Sequence, residues 1–272
     1  MKTTSIIILS FLSIFSAMAQ PQKKMLRTPS QSVGNKTNTE SALSQIVNIP
    51  DAKFKQSLID LGVDENSDGQ IQLSEAQIIT SLKLSSKSIS SLSGIEAFVN
   101  LTSLNCSDNQ LTTLDVSKNT ALTIFGCNKN QLTTIDVSKN TALTILNCRE
   151  NKLSAIDIRM NTALTRLLCE MNQLTTIDVS KNTALTNLSC SGNQIKTIDV
   201  SKNSALTDLS CSFNQLVTID VSKNIGLTKF NCRYNPNLLK ICINTTQFGF
   251  TTSTPSNWLK DNTAVWNSDC IR

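Results

Sequence analysis

The sequence contains no histidine, and this absence removes most of the catalytic sites that a chain of 272 residues could carry. Triads in which histidine activates serine or cysteine are excluded, as are zinc sites of the His-Glu-x-x-His type. No phosphate-binding glycine loop and no dinucleotide fingerprint occurs. A carboxylate pair, as in glycosidases, is the one hydrolytic arrangement left open. We therefore expect a protein that is not an enzyme.

Aromatic residues make up only 4% of the chain, and net charge is low outside the N-terminal region. Lys2 and residues 20–45 carry four of the five net positive charges, so the remainder is close to neutral. A nucleic-acid-binding surface needs a basic face, so we expect no nucleic acid partner. The shortage of large rings, beside plentiful leucine, isoleucine, asparagine and threonine, favours thin repeated coils over one thick core.

The first 19 residues have the composition of a secretory signal peptide. Lys2 provides the positive start, an apolar stretch runs from 6 to 15, and Ala17-Met18-Ala19 is a small-x-small cleavage sequence. The stretch is too short to span a bilayer, so we expect a secreted or cell-surface protein, with the periplasm as the alternative. A buried N-terminal helix is the competing interpretation. Residues 20–45 are polar and show no period, which predicts a disordered linker.

The dominant feature is a 21-residue repeat with the pattern L-x-x-L-x-C-x-x-N-x-L-x-x-I-D-V-S-K-N-x-A. A 22-residue unit spans 79–100, and the later units begin at Leu101, Leu122, Leu143, Leu164, Leu185, Leu206 and, for a partial unit, Leu227. One coil cannot bury its own apolar face, whereas stacked coils can, so the repeat predicts a solenoid of parallel β coils. The two halves of a unit are alike, and we expect both to be extended.

The repeat resembles the leucine-rich repeat, L-x-x-L-x-L-x-x-N/C-x-L, with cysteine at its sixth position. The 22-residue first unit behind a helical segment is similar to internalins. The cysteine-containing repeats, the loop before them and the cysteine-ended tail resemble exported leucine-rich-repeat proteins of Bacteroidota. The resemblance implies a repeat solenoid with little helix over 79–236. A small α-helical, EF-hand-like cap over 46–78 and a C-terminal cap over 237–272 complete the expected domain order.

Each unit places one cysteine and two asparagines at fixed positions, which predicts three ladders along the solenoid. The cysteines, expected to be reduced and buried, are Cys106, Cys127, Cys148, Cys169, Cys190, Cys211 and Cys232. The asparagines are Asn109, Asn130, Asn151, Asn172, Asn193, Asn214 and Asn235, and then Asn119, Asn140, Asn161, Asn182, Asn203 and Asn224. An amide supplies both donors and an acceptor, so we expect these side chains to satisfy backbone groups of inward-turned corners.

Two further cysteines, Cys242 and Cys270, lie on either side of an aromatic, irregular tail. In an exported protein a disulfide bond between them would staple the cap of the last coil, and we predict that bond. Zinc is a poor alternative because no C-x-x-C pair occurs.

The loop from 64 to 75 matches the EF-hand calcium loop, D-x-[DN]-x-[DN]-G-x5-E, at every position. Gly69 permits its sharp turn. The predicted ligands are Asp64, Asn66, Asp68, the Gln70 carbonyl, Gln72 through a water molecule, and Glu75 with both oxygens. We predict a structural Ca²⁺ ion that helps to close the open edge of the first coil. A degenerate cap that keeps its fold without metal is the alternative.

A row of aspartates repeats in the second half of the units, at Asp115, Asp136, Asp157, Asp178, Asp199 and Asp220. A solvated face of mixed charge, with side chains bonded to local backbone, is favoured over a row of cation sites.

Positions 3, 5, 7 and 8 differ between units, whereas the second half is nearly invariant. A face freed from the constraints of the repeat can encode recognition, and arginine and aromatic residues suit interface anchors. The candidate partner residues form two patches: Arg149, Arg166, Leu168, Glu170 and Met171, and then Phe213, Arg233 and Tyr234. We predict a scaffold that binds a protein or a glycan at the cell surface. Neutral drift at exposed positions, in a structural envelope protein without a discrete ligand, is the alternative.

Overall fold

The computed structural model describes residues 44–244 and 257–268. The predicted signal peptide, nearly all of the predicted linker, and Cys270 lie outside these residues. Within the described ranges, neither of the two α-helices has the length and apolar composition needed to cross a bilayer.

Short strands dominate the regular structure of the described residues. The helices are α1 (Ala52–Asp60) and α2 (Leu73–Gln77), followed by a 3-10 helix at Ile95–Ala97. The strands are β1 (Ser81–Lys83), β2 (Ser103–Asn105), β3 (Ile124–Gly126), β4 (Ile145–Asn147), β5 (Arg166–Leu168), β6 (Asn187–Ser189), β7 (Asp208–Ser210), β8 (Thr218–Asp220), β9 (Lys229–Asn231), β10 (Lys240–Cys242), β11 (Trp258–Leu259) and β12 (Val265–Asn267).

The helical cap is joined to the first coil through Asp51. Its Oδ1 accepts hydrogen bonds from the backbone N–H groups of Lys53 (2.9 Å) and Phe54 (3.0 Å), and so caps α1. Its Oδ2 accepts from the backbone N–H groups of Ser90 (2.8 Å) and Ser91 (3.0 Å) in the first repeat unit. One carboxylate therefore fixes both the start of α1 and the position of α1 against the solenoid.

Nine strands form one parallel sheet in the order β1-β2-β3-β4-β5-β6-β7-β9-β11. The register is constant from unit to unit: Leu104 of β2 lies beside Phe125 of β3, and Phe125 lies beside Leu146 of β4. Each position of the repeat is thus stacked on its own counterpart in the next coil. The predicted solenoid of parallel β coils is confirmed.

The seven ladder cysteines lie inside this stack as free, buried thiols. Burial raises the pKa of Cys106, Cys148 and Cys190 to about 12. These thiols remain protonated at neutral pH, and a protonated thiol is neither a nucleophile nor a metal ligand. The prediction of reduced, buried fillers is confirmed.

The second half of each unit differs from the expectation. Regular strand structure occurs there only in β8, and isolated bridges join Asp115 to Asp136 and Asp136 to Asp157 in the described residues. The Oδ1 of Asp136 accepts the backbone N–H of Ser138 at 2.8 Å, and Asp220 makes the same bond to Ser222 at the end of β8, so the aspartate turn follows both kinds of second half. The prediction of two extended halves is confirmed for the first half and is wrong for the second half of most units.

The predicted C-terminal cap contributes strands to both sides of the solenoid. β11 extends the large sheet beside β9, while β10 lies between β8 and β12 in a three-stranded parallel sheet. The rings of Phe230, Trp258 and Trp266 meet with centroids 5.2–6.3 Å apart and cover the end of the core. Cys242 is buried in β10, and because Cys270 lies outside the described residues, their disulfide bond stays a prediction.

The first asparagine ladder satisfies backbone groups as predicted. The Nδ2 of Asn151 donates to the carbonyls of Cys127 (3.0 Å), Cys148 (3.1 Å) and Arg149 (3.1 Å). Its Oδ1 accepts from the backbone N–H of Leu132 at 3.0 Å. One amide therefore joins its own coil to the preceding coil through both its donors and its acceptor.

The second ladder uses only the donor side of its amide. The Nδ2 of Asn161 donates to the carbonyls of Val137 (2.9 Å) and Asn140 (2.9 Å). Its Oδ1 is buried and accepts no hydrogen bond from a described residue, as is also true of Asn119, Asn140, Asn182, Asn203 and Asn224. Burial of an unbonded oxygen costs free energy, so the second ladder stabilises the stack less than the first.

Replacement of each asparagine in one unit tests this difference. We expect Asn151→Ala to lower the free energy of unfolding by about 3 kcal/mol, because it leaves backbone N–H and C=O groups unbonded. Asn161→Ala should cost only about 1 kcal/mol, because it also removes an oxygen that had no donor. Urea denaturation followed by circular dichroism measures both values. Equal losses would contradict the assignment of unequal roles.

Candidate functional site

The outward face of the nine-stranded sheet carries the residues in which the units differ. Side chains alternate along a strand, so positions 3, 5 and 7 point away from the core and position 8 begins the next turn. Two of the predicted partner residues are not available there: Leu168 is 3% exposed and Glu170 is 8% exposed. Leu168 lies in register between Asn147 and Ser189 of the neighbouring strands. Their prediction as partner-binding residues is corrected, because burial leaves them almost no contact surface.

Glu170 instead forms an ion pair with Arg149. The Nε of Arg149 lies 3.4 Å from the Oε2 of Glu170, and its Nη2 lies 3.6 Å from the Oε1 of Glu150. Burial raises the pKa of Glu170, although the charge of Arg149 acts in the opposite direction. Arg149 thus belongs to a half-buried internal ion pair, and Arg166, which is itself only partly exposed, is the other cation of the first predicted patch.

The second predicted patch is assembled as expected. The rings of Phe213 and Tyr234 stack with their centroids 4.1 Å apart and their planes 16° apart. The guanidinium carbon of Arg233 lies 5.6 Å from the centroid of the Tyr234 ring. Both rings are more than half exposed, at 52% and 53%. They form an aromatic surface that no other part of the described solenoid covers.

Position 8 has a backbone conformation that the sequence does not reveal. The φ angles of Met171, Phe213 and Tyr234 are 54°, 53° and 60°, in the left-handed region that bulky side chains rarely adopt. This conformation projects each side chain outward at the edge of the sheet. Gly192 occupies the same position in the coil between Met171 and Phe213.

Gly192 allows the two predicted patches to become one surface. A Cβ atom at position 192 would lie 2.6 Å from the Sδ of Met171, which shows that the thioether lies over the glycine. Met171 therefore extends toward Phe213 across a coil that has no side chain at position 8. We call Met171, Gly192, Phe213 and Tyr234 the apolar strip. In the sequence, only Gly192 indicated that Met171 and Phe213 could form one surface. The positive φ of position 8 is also needed, and the sequence does not reveal it.

The predicted calcium loop is closed by its own hydrogen bonds. The Oδ1 and Oδ2 of Asp64 accept from the backbone N–H groups of Asp68 (3.2 Å) and Gly69 (2.9 Å). The Oε1 and Oε2 of Glu75 accept from the backbone N–H groups of Glu65 (2.8 Å) and Gln72 (2.9 Å). The carboxylates therefore satisfy backbone donors rather than converge on one point.

The residue types of the loop still suit a hard cation. The loop offers carboxylate and amide oxygens as metal ligands, and Ca²⁺ prefers oxygen ligands. The Oε1 of Gln72 is buried and accepts no hydrogen bond from a described residue. No group of three or more aspartate, glutamate, cysteine or histidine side chains within the described residues is arranged to hold a metal ion. Calcium would therefore need to draw Glu75 away from the backbone N–H groups to which it is bonded.

A cleft of about 730 Å³ lies on the second-half side of the first units, where the 3-10 helix meets the narrower repeats. Its lining includes Glu96, Asp115, Lys118 and Asp136. Backbone hydrogen bonds lower the pKa of Asp115 and Asp136, whereas a catalytic acid needs a raised pKa. The two aspartates thus behave as solvated turn residues, as the favoured interpretation of the aspartate row expects.

Glu170→Gln is expected to change how stability depends on pH. Burial raises the pKa of Glu170 above its ordinary value of 4.5, so the folded chain holds a proton that the unfolded chain has released. This contribution to stability is present below the unfolded pKa and is lost as the pH rises through the higher folded pKa. In urea denaturation, the free energy of unfolding of the wild type should rise relative to that of Glu170→Gln as the pH falls from about 7 to about 4.5.

Glu150→Gln is the control for loss of a carboxylate beside Arg149, since Glu150 is far more exposed than Glu170. A stability difference between the wild type and Glu170→Gln that stays constant with pH would rule out the burial effect.

No protein-family model matches the chain, and no curated protein matches it. Among solved structures, internalin C2 of Listeria monocytogenes matches 88% of this chain and 100% of its own length, with a TM-score of 0.57 and 17% sequence identity. A leucine-rich-repeat protein of Leptospira interrogans matches 69% of this chain and 59% of its own length, with a TM-score of 0.50 and 17% identity.

The functional domain of InlJ from Listeria monocytogenes, whose description includes a cysteine ladder, is 31% identical over 73% of this chain, with a TM-score of 0.48. The chain spans 56% of the length of that domain. The likeness to internalin C2 establishes the architecture. The chain has the leucine-rich-repeat fold, a parallel β-solenoid of about eight turns with little helix.

Proposed function

We propose that this chain is a non-catalytic scaffold that binds a partner protein at the cell surface through the outward face of its nine-stranded sheet. Leucine-rich-repeat folds are commonly protein-binding scaffolds. The absence of histidine and the protonated state of the buried thiols leave little chemistry for nucleophilic catalysis. Export is proposed from the composition of residues 1–19, which resemble a signal peptide.

The observation that carries the proposal is the contrast between the two sides of one coil. Position 3 of successive strands holds Ile145, Arg166, Asn187, Asp208 and Lys229, which differ in charge and size. The second halves repeat nearly the same residues in every coil. A surface that varies along its length can distinguish partners, whereas a uniform surface presents the same chemistry at every coil.

Site-specific photo-cross-linking tests which side binds. Benzoylphenylalanine is placed at Asn187 in β6 or, as the matched control, at the exposed Thr197 in the second half of the same unit. Each labelled chain is irradiated in an extract of cell-surface proteins. We expect an adduct with one protein from position 187, suppressed by excess unlabelled chain, and none from position 197.

Equal adducts from both positions, or none from either, would refute a recognition face on the sheet. A second extract, treated with glycosidases, distinguishes a protein from a glycan ligand. An adduct lost after that treatment would assign the face to glycan recognition instead.

We also propose that the loop at 64–75 binds Ca²⁺ weakly and that the ion stabilises the helical cap. The support is the donor chemistry of Asp64, Asn66, Asp68 and Glu75, and the unbonded oxygen of Gln72. Because Glu75 must exchange backbone hydrogen bonds for the ion, we expect a dissociation constant of about 10⁻³ M, at the weak end of the range for such loops. The role proposed for the ion is structural.

Thermal unfolding in calcium and in chelator tests this site. At about 10 mM Ca²⁺, the linkage relation gives roughly 1.4 kcal/mol of stabilisation, or a rise of about 3 °C in Tm. Glu75→Gln should abolish the rise, while Glu65→Gln, an exposed change in the same loop, should retain it. A wild-type Tm that is equal in calcium and chelator would mean that the cap folds without metal.

A further inference from the structure

The first repeat unit is one residue longer than the 21-residue units, and the additional residue lies in a wall of the cleft. Ile89 and Leu111 accept the same backbone hydrogen bond from the unit that follows each of them. Ile95 and Val116 accept the same bond from the second asparagine ladder. The segment between Ile89 and Ile95 is therefore one residue longer than the segment between Leu111 and Val116. Residues 91–93 of the longer segment line the cleft of about 730 Å³.

This wall of the cleft is held in place by the helical cap and by its own hydrogen bonds. The Oδ2 of Asp51 accepts from the backbone N–H of Ser91 at 3.0 Å. The Oγ of Ser91 lies 2.9 Å from the Oγ of Ser93 and accepts from the backbone N–H of Ser93 at 3.1 Å. The Oε2 of Glu96 accepts from the backbone N–H of Gly94 at 2.8 Å. A wall that is ordered before a ligand enters lowers the entropic cost of binding.

The opposite wall presents two fixed carboxylates from adjacent coils. The Oδ1 of Asp115 accepts from the backbone N–H of Ser117 at 2.8 Å, and the Oδ1 of Asp136 makes the same bond to Ser138. An isolated parallel bridge pairs the two aspartates, which places them ~4.8 Å apart. A carboxylate has about four acceptor sites, so each group can accept further hydrogen bonds from a ligand.

The rest of the lining combines an apolar floor with polar groups at the rim. Leu92 and Ile135 are 3% and 9% exposed, so the apolar side chains form the deepest part of the cleft. Thr113, Thr134 and Lys118 are exposed and lie nearer the opening. Within the described residues, no salt bridge includes Lys118 or any of the three carboxylates of the lining.

This lining selects among the classes of small ligand. Its three carboxylates and one ammonium group are unfavourable for a phosphate or another anion. A simple cation would be repelled by Lys118 and would make no use of the apolar floor. A neutral sugar has hydroxyl groups that donate to carboxylates and accept from an ammonium group. The two aspartates are about as far apart as hydroxyl groups on alternate carbons of a sugar ring. The volume of about 730 Å³ lies within the usual range for small-ligand sites.

We propose that this cleft binds a neutral oligosaccharide, as a second binding site on the other side of the coil from the nine-stranded sheet. Asp115 and Asp136 accept hydrogen bonds from the hydroxyl groups of one sugar ring, and Lys118 donates to a ring or hydroxyl oxygen. The C–H face of the ring lies on the apolar floor. The inference goes beyond the proposed protein-binding function and does not depend on it.

The experiment applies the purified chain to an array of immobilised oligosaccharides that includes neutral, sulfated and uronic-acid-containing members. We expect binding to a subset of the neutral oligosaccharides. Isothermal titration calorimetry with the free form of the strongest neutral ligand then gives its dissociation constant. That constant should change little between low salt and about 1 M NaCl, because a neutral ligand forms no ion pair.

Matched variants locate the site on the solenoid. Asp115→Asn with Asp136→Asn should weaken binding at least tenfold, because charge-assisted hydrogen bonds are lost while asparagine can still accept the backbone N–H of the turn. Asp178→Asn with Asp199→Asn is the control, since these aspartates make the same turn in later units. The control should bind as the wild type does. Thermal unfolding confirms that both double variants are folded.

A second pair of variants fills the cleft without removing its carboxylates. Thr113→Arg places a long side chain at the rim and should abolish binding, whereas Thr176→Arg, at the same position of a later unit, should not. Binding to no neutral oligosaccharide, or only to sulfated or uronic-acid-containing ones, would overturn the inference. Equal affinity in the cleft variants and their controls would also overturn it. The cross-link from position 187 tests the sheet face separately, so either proposal can fail while the other stands.

Discussion

The stack depends on the hydrogen bonds that each inward-turned asparagine makes between coils. A coil that bends sharply around a narrow core leaves backbone N–H and C=O groups inside, where no water can bond to them. Asn151 supplies a donor and an acceptor at that point and bonds to the backbone of two successive coils. The amide meets the equivalent backbone atoms at each step of the 21-residue repeat. The constant strand register follows from that length.

This constraint divides the coil into parts that must repeat and parts that need not. The apolar ladder positions are buried in the same way in each unit, and the cysteines fill a space that suits a small, protonated thiol. Positions 3, 5, 7 and 8 contribute only backbone atoms to the asparagine ladders. Side chains as different as Gly192 and Tyr234 therefore occupy one backbone conformation at position 8. Recognition can change along the solenoid without a change of fold.

Much of the fold could be predicted from the sequence because its determinants are local and repeated. The 21-residue period, the buried leucines and the two asparagines define the register and the interior in each of six full units. In the second halves, regular strand pairing is confined to β8 beside β10, although Asp136 and Asp220 make the same turn, so the repeated residues alone do not determine it. The sequence predicted the helical cap, but the double role of Asp51 depends on its hydrogen bonds with Ser90 and Ser91, which lie about 40 positions later in the chain. Such a contact has no periodic signal.

The site was predicted less completely, since exposure and pairing are properties of neighbouring coils. Leu168 and Glu170 were chosen because they break the pattern of the repeat, yet both are buried, and Glu170 compensates Arg149. A departure from the repeat can thus mark a substitution that one coil makes to fit its neighbour. Met171, Phe213 and Tyr234 differ in that they stay more than half exposed, although Met171 lies over Gly192 and the two rings stack on each other. An unusual residue that improves packing has a structural explanation, whereas an exposed ring at positive φ has a cost that binding of a partner could offset.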